Sequence, residues 1–433
     1  MKKIASSPSG LSTVSFKVGV VTSLVFLAGC GGGDDVALFD YPLWVETAVI
    51  VADIDGDSRA DVITIAQLAS SLEDRKGQLV VRLQTSPGVF APAQTYVVGT
   101  YPWRIALGDI DGDGAPDLVI ADAGSTAVGV SNGTVWMVRQ DAGNRGQFLA
   151  PQQLTTSTTN PSDLVIGDMS GDNVPDIVVS GTYSPDKGAG LLVQDANNRG
   201  TFLPSALIPL PGNATAVAIG DVNGDGRNDL ALRMYLSSIN YVWNTALGIV
   251  YQQAGGTLDP VVTWSPQTGL NTQTLAITHY DTNGLSDVVE FFTPSGEAYS
   301  AKVTSLLQST LGTFAAVDTS LAAVRGIDDG VVADLNGDGR PDFASVGFYP
   351  TGTTPLSSPT VESTLHTFMQ NGSGGFGQTA SVSLPISCSR IAAGDINGDG
   401  LSDLVVLGSE NRVMLLLQSS STHGTFLPPQ FLK

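Results

Sequence analysis

The amino-acid sequence predicts an all-β fold, a seven-bladed β-propeller whose blades are four-stranded antiparallel sheets. An acidic loop of nine residues recurs along the chain at intervals of 53 to 61 residues. Each copy lies between two short runs rich in Val, Ile and Leu, which favour β-strands over helices. A repeat of this length with four predicted strands per period is typical of a propeller blade.

The second copy shows the loop most clearly. It reads Asp109-Ile-Asp111-Gly-Asp113-Gly-Ala-Pro-Asp117, with carboxylates at positions one, three, five and nine. Such a turn supplies the oxygen ligands that Ca²⁺ prefers, and the backbone carbonyl at position seven is predicted to add another. Without a cation the carboxylates would repel one another. The sequence therefore predicts calcium loops between strands one and two of the blades.

Six copies of the loop are strong and predict about six Ca²⁺ sites. Their predicted ligands are the side chains at positions one, three, five and nine, namely Asp53, Asp55, Asp57 and Asp61; Asp109, Asp111, Asp113 and Asp117; Asp168, Ser170, Asp172 and Asp176; Asp221, Asn223, Asp225 and Asp229; Asp334, Asn336, Asp338 and Asp342; Asp395, Asn397, Asp399 and Asp403. Ser170 weakens the third site. The copy from His279 to Asp287 lacks the first Asp and the glycine at position four, and is predicted to be empty or weak.

An EF-hand loop begins in the same way but takes its last acid from position twelve, which here is Ile120 in an apolar run. The loop instead resembles the calcium loop of FG-GAP repeats, also called VCBS repeats, known from integrin α subunits and many bacterial surface proteins. The resemblance covers roughly Trp44 to the C-terminus. It implies a β-propeller that recognises proteins or glycans, or mediates adhesion, at a surface.

The N-terminus predicts export and anchoring. Residues 1–29 have a basic start and a short apolar run, and Leu27-Ala-Gly-Cys30 resembles the bacterial lipobox, in which the cysteine is acylated. Residues 30–37 are then a flexible tether and residues 38–433 the propeller. The predicted location is the outer membrane or cell surface. The alternative is an ordinary secretory signal and a secreted protein.

Composition excludes one class of partner. The formal net charge is −21, or −24 without the three lysines of the predicted signal peptide. A nucleic-acid partner is therefore excluded, because no basic patch is available for phosphates. The six strong loops hold 20 of the 41 acidic residues, so the acidity is explained mostly by metal binding.

A second repeated feature follows the third predicted strand of each blade. It reads Gly-x-Phe with Pro close behind, as in Gly146 to Pro151, Gly200 to Pro204 and Gly424 to Pro428, and a fourth strand is expected after it. The last blade could take this strand from Phe426–Leu432. Residues Leu38–Pro42 could instead compete for, or extend, the same edge.

The connections between strands two and three vary in length and composition, whereas the acidic loops do not. Variable loops on a rigid scaffold are where binding usually occurs. One of them, predicted from Arg233 to Leu247, carries Tyr235, Tyr241 and Trp243 as a possible ligand face, although these aromatics could equally cap the blade core. In an up-and-down blade this face lies opposite the calcium loops.

The predicted function is a non-enzymatic binding module on the bacterial envelope. The only sequence match to a nucleophile elbow, Gly129 to Gly133, precedes a strand rather than the required helix. A propeller enzyme such as a polysaccharide lyase or hydrolase is the first alternative, and it would need charged side chains that converge in the central channel. A structural subunit of an envelope complex is the second.

Overall fold

In the computed structural model, seven four-stranded antiparallel blades follow one another along the chain, as the sequence predicts. The residues described are 44–68, 76–124, 133–181, 187–239, 242–281, 283–294, 301–310, 312–321, 327–348, 363–372 and 375–432. The predicted signal peptide, Cys30, the tether and Leu38–Pro42 lie outside these ranges. No helix in the described ranges has the length and apolar character of a membrane span.

The first three blades each use strands in chain order. Blade 1 contains β1 (Trp44–Ala52), β2 (Asp61–Leu68), β3 (Gly77–Arg82) and β6 (Gln94–Val97), with a small hairpin of β4 (Gln84–Ser86) and β5 (Val89–Phe90) beside it. Blade 2 contains β7 (Pro102–Gly108), β8 (Asp117–Asp122), β9 (Thr134–Val138) and β10 (Gln152–Leu154). Blade 3 contains β11 (Pro161–Gly167), β12 (Asp176–Gly181), β13 (Gly188–Leu192) and β14 (Ala206–Pro209).

Blades 4 and 5 are joined into one seven-stranded sheet. Its strands are β15 (Asn213–Gly220), β16 (Asp229–Ile239), β17 (Val242–Val250), β18 (Val262–Thr278), β19 (Asp287–Pro294), β20 (Lys302–Thr310) and β21 (Thr313–Ser320). The first part of β18 pairs with β17 and the second part with β19. One continuous strand is therefore the outer strand of blade 4 and the inner strand of blade 5.

The last two blades return to the separate four-stranded form. Blade 6 contains β22 (Asp329–Ala333), β23 (Asp342–Phe348), β24 (Ser363–Gln370) and β25 (Phe376–Leu384). Blade 7 contains β26 (Cys388–Gly394), β27 (Asp403–Gly408), β28 (Arg412–Leu416) and β29 (Gln430–Phe431), with a 3₁₀ turn at Ser409–Asn411. Because β29 pairs with β28, the C-terminus of the chain supplies the fourth strand of its own blade.

The ring closes between the first and last blades. The first strand of each blade packs against the first strand of the next, and β26 of blade 7 packs against β1. Two hydrogen bonds join these blades: Arg390 Nε donates to the carbonyl of Thr47 at 2.7 Å, and Gln84 Nε2 donates to the carbonyl of Ile396 at 2.9 Å. Closure therefore needs no exchange of strands between the two ends of the propeller.

The apolar core lies between neighbouring blades. Every residue of β8 and β12 is buried, because each blade is covered on both faces by its neighbours. The cluster around Leu118 and Leu79 joins blades 1 and 2, and a cluster containing Val62 and Val405 joins blades 1 and 7. Removal of this apolar surface from water holds the blades against one another.

One predicted connection is wrong. Residues Arg233 to Leu247 are not a loop, because β16 continues to Ile239 and β17 begins at Val242, and the two pair as far as this point. Tyr235 therefore lies within a strand. The error arises because this stretch is rich in Ser, Asn and Tyr, a composition that is typical of loops. Here these residues lie in a long hairpin.

Candidate metal centres

The aspartate at position nine closes each loop. Its side chain is fully buried in all seven copies: Asp61, Asp117, Asp176, Asp229, Asp287, Asp342 and Asp403. In the second loop, Asp117 Oδ2 accepts the backbone N–H of Ile110 at 2.9 Å, and Oδ1 accepts that of Gln140, just after the third strand, at 2.8 Å. This residue therefore fixes the loop to the blade as well as offering a carboxylate.

The aspartate at position one organises the turn itself. Asp109 Oδ1 accepts the backbone N–H groups of Gly112 and Asp113 at 2.7 and 3.1 Å, and Oδ2 accepts that of Gly114 at 3.0 Å. The same pattern occurs in the other five strong loops. It requires positive φ at positions four and six, which is why glycine recurs there, with Ser58 and Asn173 as the two exceptions at position six.

The donor set fits a hard divalent cation. Oxygens of Asp53, Asp55 and Asp61 lie within 4.8 Å of one another, and those of Asp109, Asp111 and Asp117 do the same. Within the described residues, Asp111 Oδ1 is buried and has no hydrogen-bond partner. Burial and the neighbouring Asp113 raise the pKa of Asp111. A buried, unpartnered carboxylate oxygen beside two other carboxylates would be satisfied by a cation such as Ca²⁺.

Arginine at position seven distinguishes three of the loops. Arg59, Arg227 and Arg340 each form an ion pair with the aspartate at position five of their own loop. The second and seventh loops have Ala115 and Leu401 at this position. The carboxylate at position five is therefore partly neutralised in loops one, four and six, where a bound cation would compete with the guanidinium.

The fifth loop closes in a different way. His279 replaces the aspartate that collects three backbone N–H groups elsewhere, and the amide of Asn283 donates to Asp281 Oδ2 at 3.1 Å and to the carbonyl of Gln308 at 2.6 Å. Asp287 keeps its bonds to Tyr280 and Gln308. Amide groups thus hold this loop in place of acids, and that it is an empty or weak site stays a prediction.

Each acidic loop contacts a buried glutamine that was not predicted from the sequence. Gln140 Nε2 donates to the carbonyl of Pro116 at 2.9 Å and to that of Ile54 in the preceding blade's loop at 3.2 Å, while Oε1 accepts the N–H of Gly146 at 3.0 Å. The equivalent residues are Gln84, Gln194, Gln252, Gln308, Gln370 and Gln418, all buried. Their signal in the sequence is a glutamine two to six residues before a glycine in the turn that follows the third strand.

The turn between strands three and four covers the loop of the preceding blade. A Cβ atom on Gly256 would lie 1.8 Å from the carbonyl oxygen of Ser170, so only glycine permits this approach. His423 Nδ1 lies 3.0 Å from the carbonyl oxygen of Asn336. These contacts confirm that the Gly-x-Phe turns and the acidic loops share one rim, and they make each loop part of a contact between blades.

Burial raises the pKa of the aspartates at position nine. The pKa of Asp117 is raised from 3.8 to about 6, because burial outweighs the backbone N–H groups of Gln140 and Ile110, which lower it. The pKa values of Asp61, Asp229, Asp342 and Asp403 are raised to about 6 for the same reason. Those of Asp176 and Asp287 are also raised.

The stabilisation by calcium is expected to decrease as the pH falls from 7 to 5. A raised pKa favours the protonated side chain in the folded, metal-free protein. Each such aspartate therefore contributes stability that is fully present below pH 3.8 and is lost as the pH rises through about 6. Calcium requires the carboxylate, so its affinity falls by up to about tenfold per pH unit below this pKa. Melting curves with and without calcium at both pH values test this. An equal calcium-induced shift at pH 5 and pH 7 would contradict it.

The predicted ligand-face aromatics are only partly described. Tyr235 lies in β16 and is partly exposed. The backbone of Trp243 pairs with Ser238 in the same hairpin, near its tip. Tyr241 and the side chain of Trp243 lie outside the described part of the structure.

The fold and its seven loops define a β-propeller built from one repeated unit. Residues 53–120, which contain the first two loops, match the family model of the FG-GAP-like repeat. The predicted resemblance is confirmed for these residues, which match an FG-GAP-like repeat within a seven-bladed propeller. No curated protein matches it. One similar solved structure is a functionally unknown protein from Desulfotomaculum acetoxidans DSM 771, with 12% identity, 81% of this chain and 91% of that chain covered, and a TM-score of 0.46.

Proposed function

We propose that this protein is a calcium-stabilised, non-enzymatic recognition module tethered to the bacterial cell envelope. The observation that carries this proposal is the repetition of one acidic loop around the ring, in contrast to the varied connections at the other end of the same strands. The acidic loops are thus constant and suited to a structural role. The other rim is free to differ from blade to blade, as recognition requires.

Six Ca²⁺ ions would be held by the six strong loops. The side chains at positions one, three, five and nine would supply the ligands, and the fifth loop would bind weakly or not at all. A bound ion would neutralise each acidic turn. Because every loop contacts the turn or the glutamine of the next blade, the ions would also stabilise contacts between blades.

The recognition face is the rim opposite the acidic loops. The connections between strands two and three range from residues 240–241 in blade 4 to residues 349–362 in blade 6. The acidic loops keep the same length in all seven blades. A protein or glycan partner is therefore proposed to bind the varied rim, with Trp243 near the tip of the longest described hairpin as an anchor.

Trp243→Ala is expected to weaken binding on a glycan array or in an envelope pull-down by ~2 kcal/mol, which is roughly thirtyfold in Kd, because aromatic anchors dominate many interfaces. A matched control is Leu203→Ala, which removes an exposed apolar side chain from a turn on the acidic-loop rim. Loss of binding in the folded Leu203 variant, with normal binding by the Trp243 variant, would place the site on the rim of the acidic loops and contradict the proposal.

Anchoring through Cys30 is proposed from the lipobox-like sequence alone. Cys30→Ser is expected to move the protein from the detergent phase to the soluble fraction or to leave its signal uncleaved, because stable anchoring requires two or more acyl chains. Phase partitioning and mass spectrometry of the mature N-terminus provide the measurement. A wild-type chain that begins elsewhere, or that carries no lipid, would refute the anchor and leave a secreted protein.

A further inference from the structure

Three of the acidic loops offer the same four side chains and differ in charge only at position seven. The fourth, sixth and seventh loops each have Asp, Asn, Asp and Asp at positions one, three, five and nine. Position seven is Arg227 in the fourth loop, Arg340 in the sixth and Leu401 in the seventh. All three have the same turn, in which the aspartate at position one accepts the N–H groups at positions four, five and six. The chain therefore contains its own comparison of one loop with and without a positive charge.

Arginine at position seven engages the carboxylate at position five. Arg227 donates through Nη2 to Asp225 Oδ2, and Arg340 forms the equivalent bond to Asp338 Oδ2. The side chains of the two aspartates are only 26% and 28% exposed, so water screens these ion pairs incompletely. One oxygen of the position-five carboxylate is thus already paired with a cation that belongs to the chain.

In two loops the guanidinium also contacts the residue just after the third strand. Arg227 Nε donates to the carbonyl of Gln252 at 3.1 Å. Arg59 of the first loop pairs with Asp57 and donates through Nε to the carbonyl of Gln84 at 3.2 Å. The backbone N–H groups of the same glutamines bind the aspartates at position nine. The guanidinium therefore joins the acidic loop to the end of the third strand without a metal ion.

The seventh loop satisfies the same carboxylate oxygen with a neutral group. Asp399 Oδ2 accepts a hydrogen bond from Nδ2 of Asn397 at 3.0 Å. The side chain of Leu401 carries neither a charge nor a hydrogen-bond donor. A neutral amide leaves the negative charge of the carboxylate uncancelled and does not repel a cation. The seventh loop therefore keeps the full charge of its three carboxylates, whereas a guanidinium reduces this charge in the fourth and sixth loops.

We propose that arginine at position seven competes with calcium for the carboxylate at position five, so that the fourth and sixth loops bind calcium more weakly than the seventh. A cation in the fourth loop displaces the guanidinium from Asp225 or shares the carboxylate with it, and the positive charge of Arg227 repels the cation in either case. In the seventh loop a cation displaces only an amide. This inference rests on the proposed calcium binding and adds the residue that sets the affinity of individual loops.

The expected difference in affinity is about fivefold, because a partly exposed ion pair is worth up to about 1 kcal/mol. The seventh loop then fills at a lower calcium concentration than the fourth and sixth loops, which their arginines hold together before an ion binds. Arg59 makes the same contacts in the first loop and is expected to lower the affinity of that loop as well.

The test is hydrogen–deuterium exchange of the full-length protein at a series of free calcium concentrations, followed by mass spectrometry of peptides that each cover one loop. Each peptide reports the calcium concentration at which the backbone N–H groups of its own loop become better protected. The midpoint for the seventh loop is expected to lie about fivefold below the midpoints for the fourth and sixth loops.

Two reciprocal variants isolate position seven. Arg227→Leu is expected to lower the midpoint of the fourth loop about fivefold and to leave that of the sixth loop unchanged, whereas Leu401→Arg is expected to raise that of the seventh loop by a similar factor. An arginine needed only for the structure of its loop would have the opposite effect, because its loss would weaken the site. The control is Arg412→Leu, which removes an equal charge at the start of β28 and is expected to change no midpoint.

Equal midpoints for the fourth, sixth and seventh loops would overturn this inference and leave calcium binding intact. A midpoint of the fourth loop that stays the same or rises in the Arg227→Leu variant would do the same. If calcium changes the exchange of no loop, the proposed calcium binding fails, and this inference fails with it. Thermal melts in calcium show that the variants are folded, and Arg227→Leu alone decides if Leu401→Arg is not.

Discussion

Removal of calcium is expected to lower the melting temperature of this protein by about 10 °C. With roughly millimolar calcium and dissociation constants on the order of 10⁻⁴ M, each ion contributes about 1.4 kcal/mol to the folded state. Six sites then contribute about 8 kcal/mol. For a domain of about 390 residues, the unfolding entropy converts this free energy into a shift of about 10 °C. Buried groups such as Asp111 Oδ1 would lose their counter-charge as the ion leaves.

Thermal melts with calcium and with excess chelator measure this effect, and elemental analysis confirms that the metal has been removed. Asp225→Ala in the fourth loop is expected to reduce the calcium-dependent shift, whereas Asp281→Ala in the fifth loop is not. The reason is structural: Asp281 is engaged by Asn283 in a loop that lacks the first aspartate. An unchanged melt in metal-free protein would refute the structural role of the ions.

The sequence was sufficient for the repeat and for the blades. Spacing alone placed the fifth loop, because its position agrees with the period even though His279 replaces the first aspartate. Apolar runs identified the first and second strands, and the second strands β8 and β12 are buried along their whole length. These features are local, and each recurs seven times. A chance match in one copy therefore could not alter the predicted fold.

Features that depend on pairing between distant residues could not be predicted in the same way. Strand β18 continues through Pro266 and Gly269, residues that usually interrupt a strand, because it pairs with β17 as far as Thr268 and with β19 from Gly269 onward. The outer end of the hairpin of β16 and β17 contains several polar residues, such as Ser237 and Asn244, and was therefore interpreted as a loop.

The buried glutamines that contact the acidic loops combine a local sequence pattern with contacts between distant residues. Their recurrence is visible in the sequence, but their role requires the fold, since Gln140 and Ile54 are 86 residues apart. In five blades the side chain bonds to a carbonyl of the preceding blade's loop: Gln84, Gln140, Gln252, Gln308 and Gln370. The same residue thus connects the acidic loop, the Gly-x-Phe turn and the neighbouring blade.

Gln140→Leu is expected to lower the free energy of unfolding by about 3 to 5 kcal/mol. The change keeps the side-chain volume but leaves the carbonyls of Pro116 and Ile54 and the N–H of Gly146 without partners, and each buried, unsatisfied group costs about 1 to 3 kcal/mol. Chemical denaturation in calcium measures it. Gln153→Leu, at an exposed position on β10, is the control and is expected to change stability by less than about 0.5 kcal/mol.

A second variant separates the two roles of the glutamine. The side chain of Gln194 donates to the carbonyl of Pro175 and accepts the N–H of Gly200, both within its own blade, and among the described residues it has no bond to a neighbouring blade. Gln194→Leu should therefore destabilise the protein by about 1 kcal/mol less than Gln140→Leu, the difference being the bond between blades. Equal losses in the two variants would show that Gln140 stabilises its own loop only. A smaller loss for Gln140→Leu would contradict its role in joining blades 1 and 2.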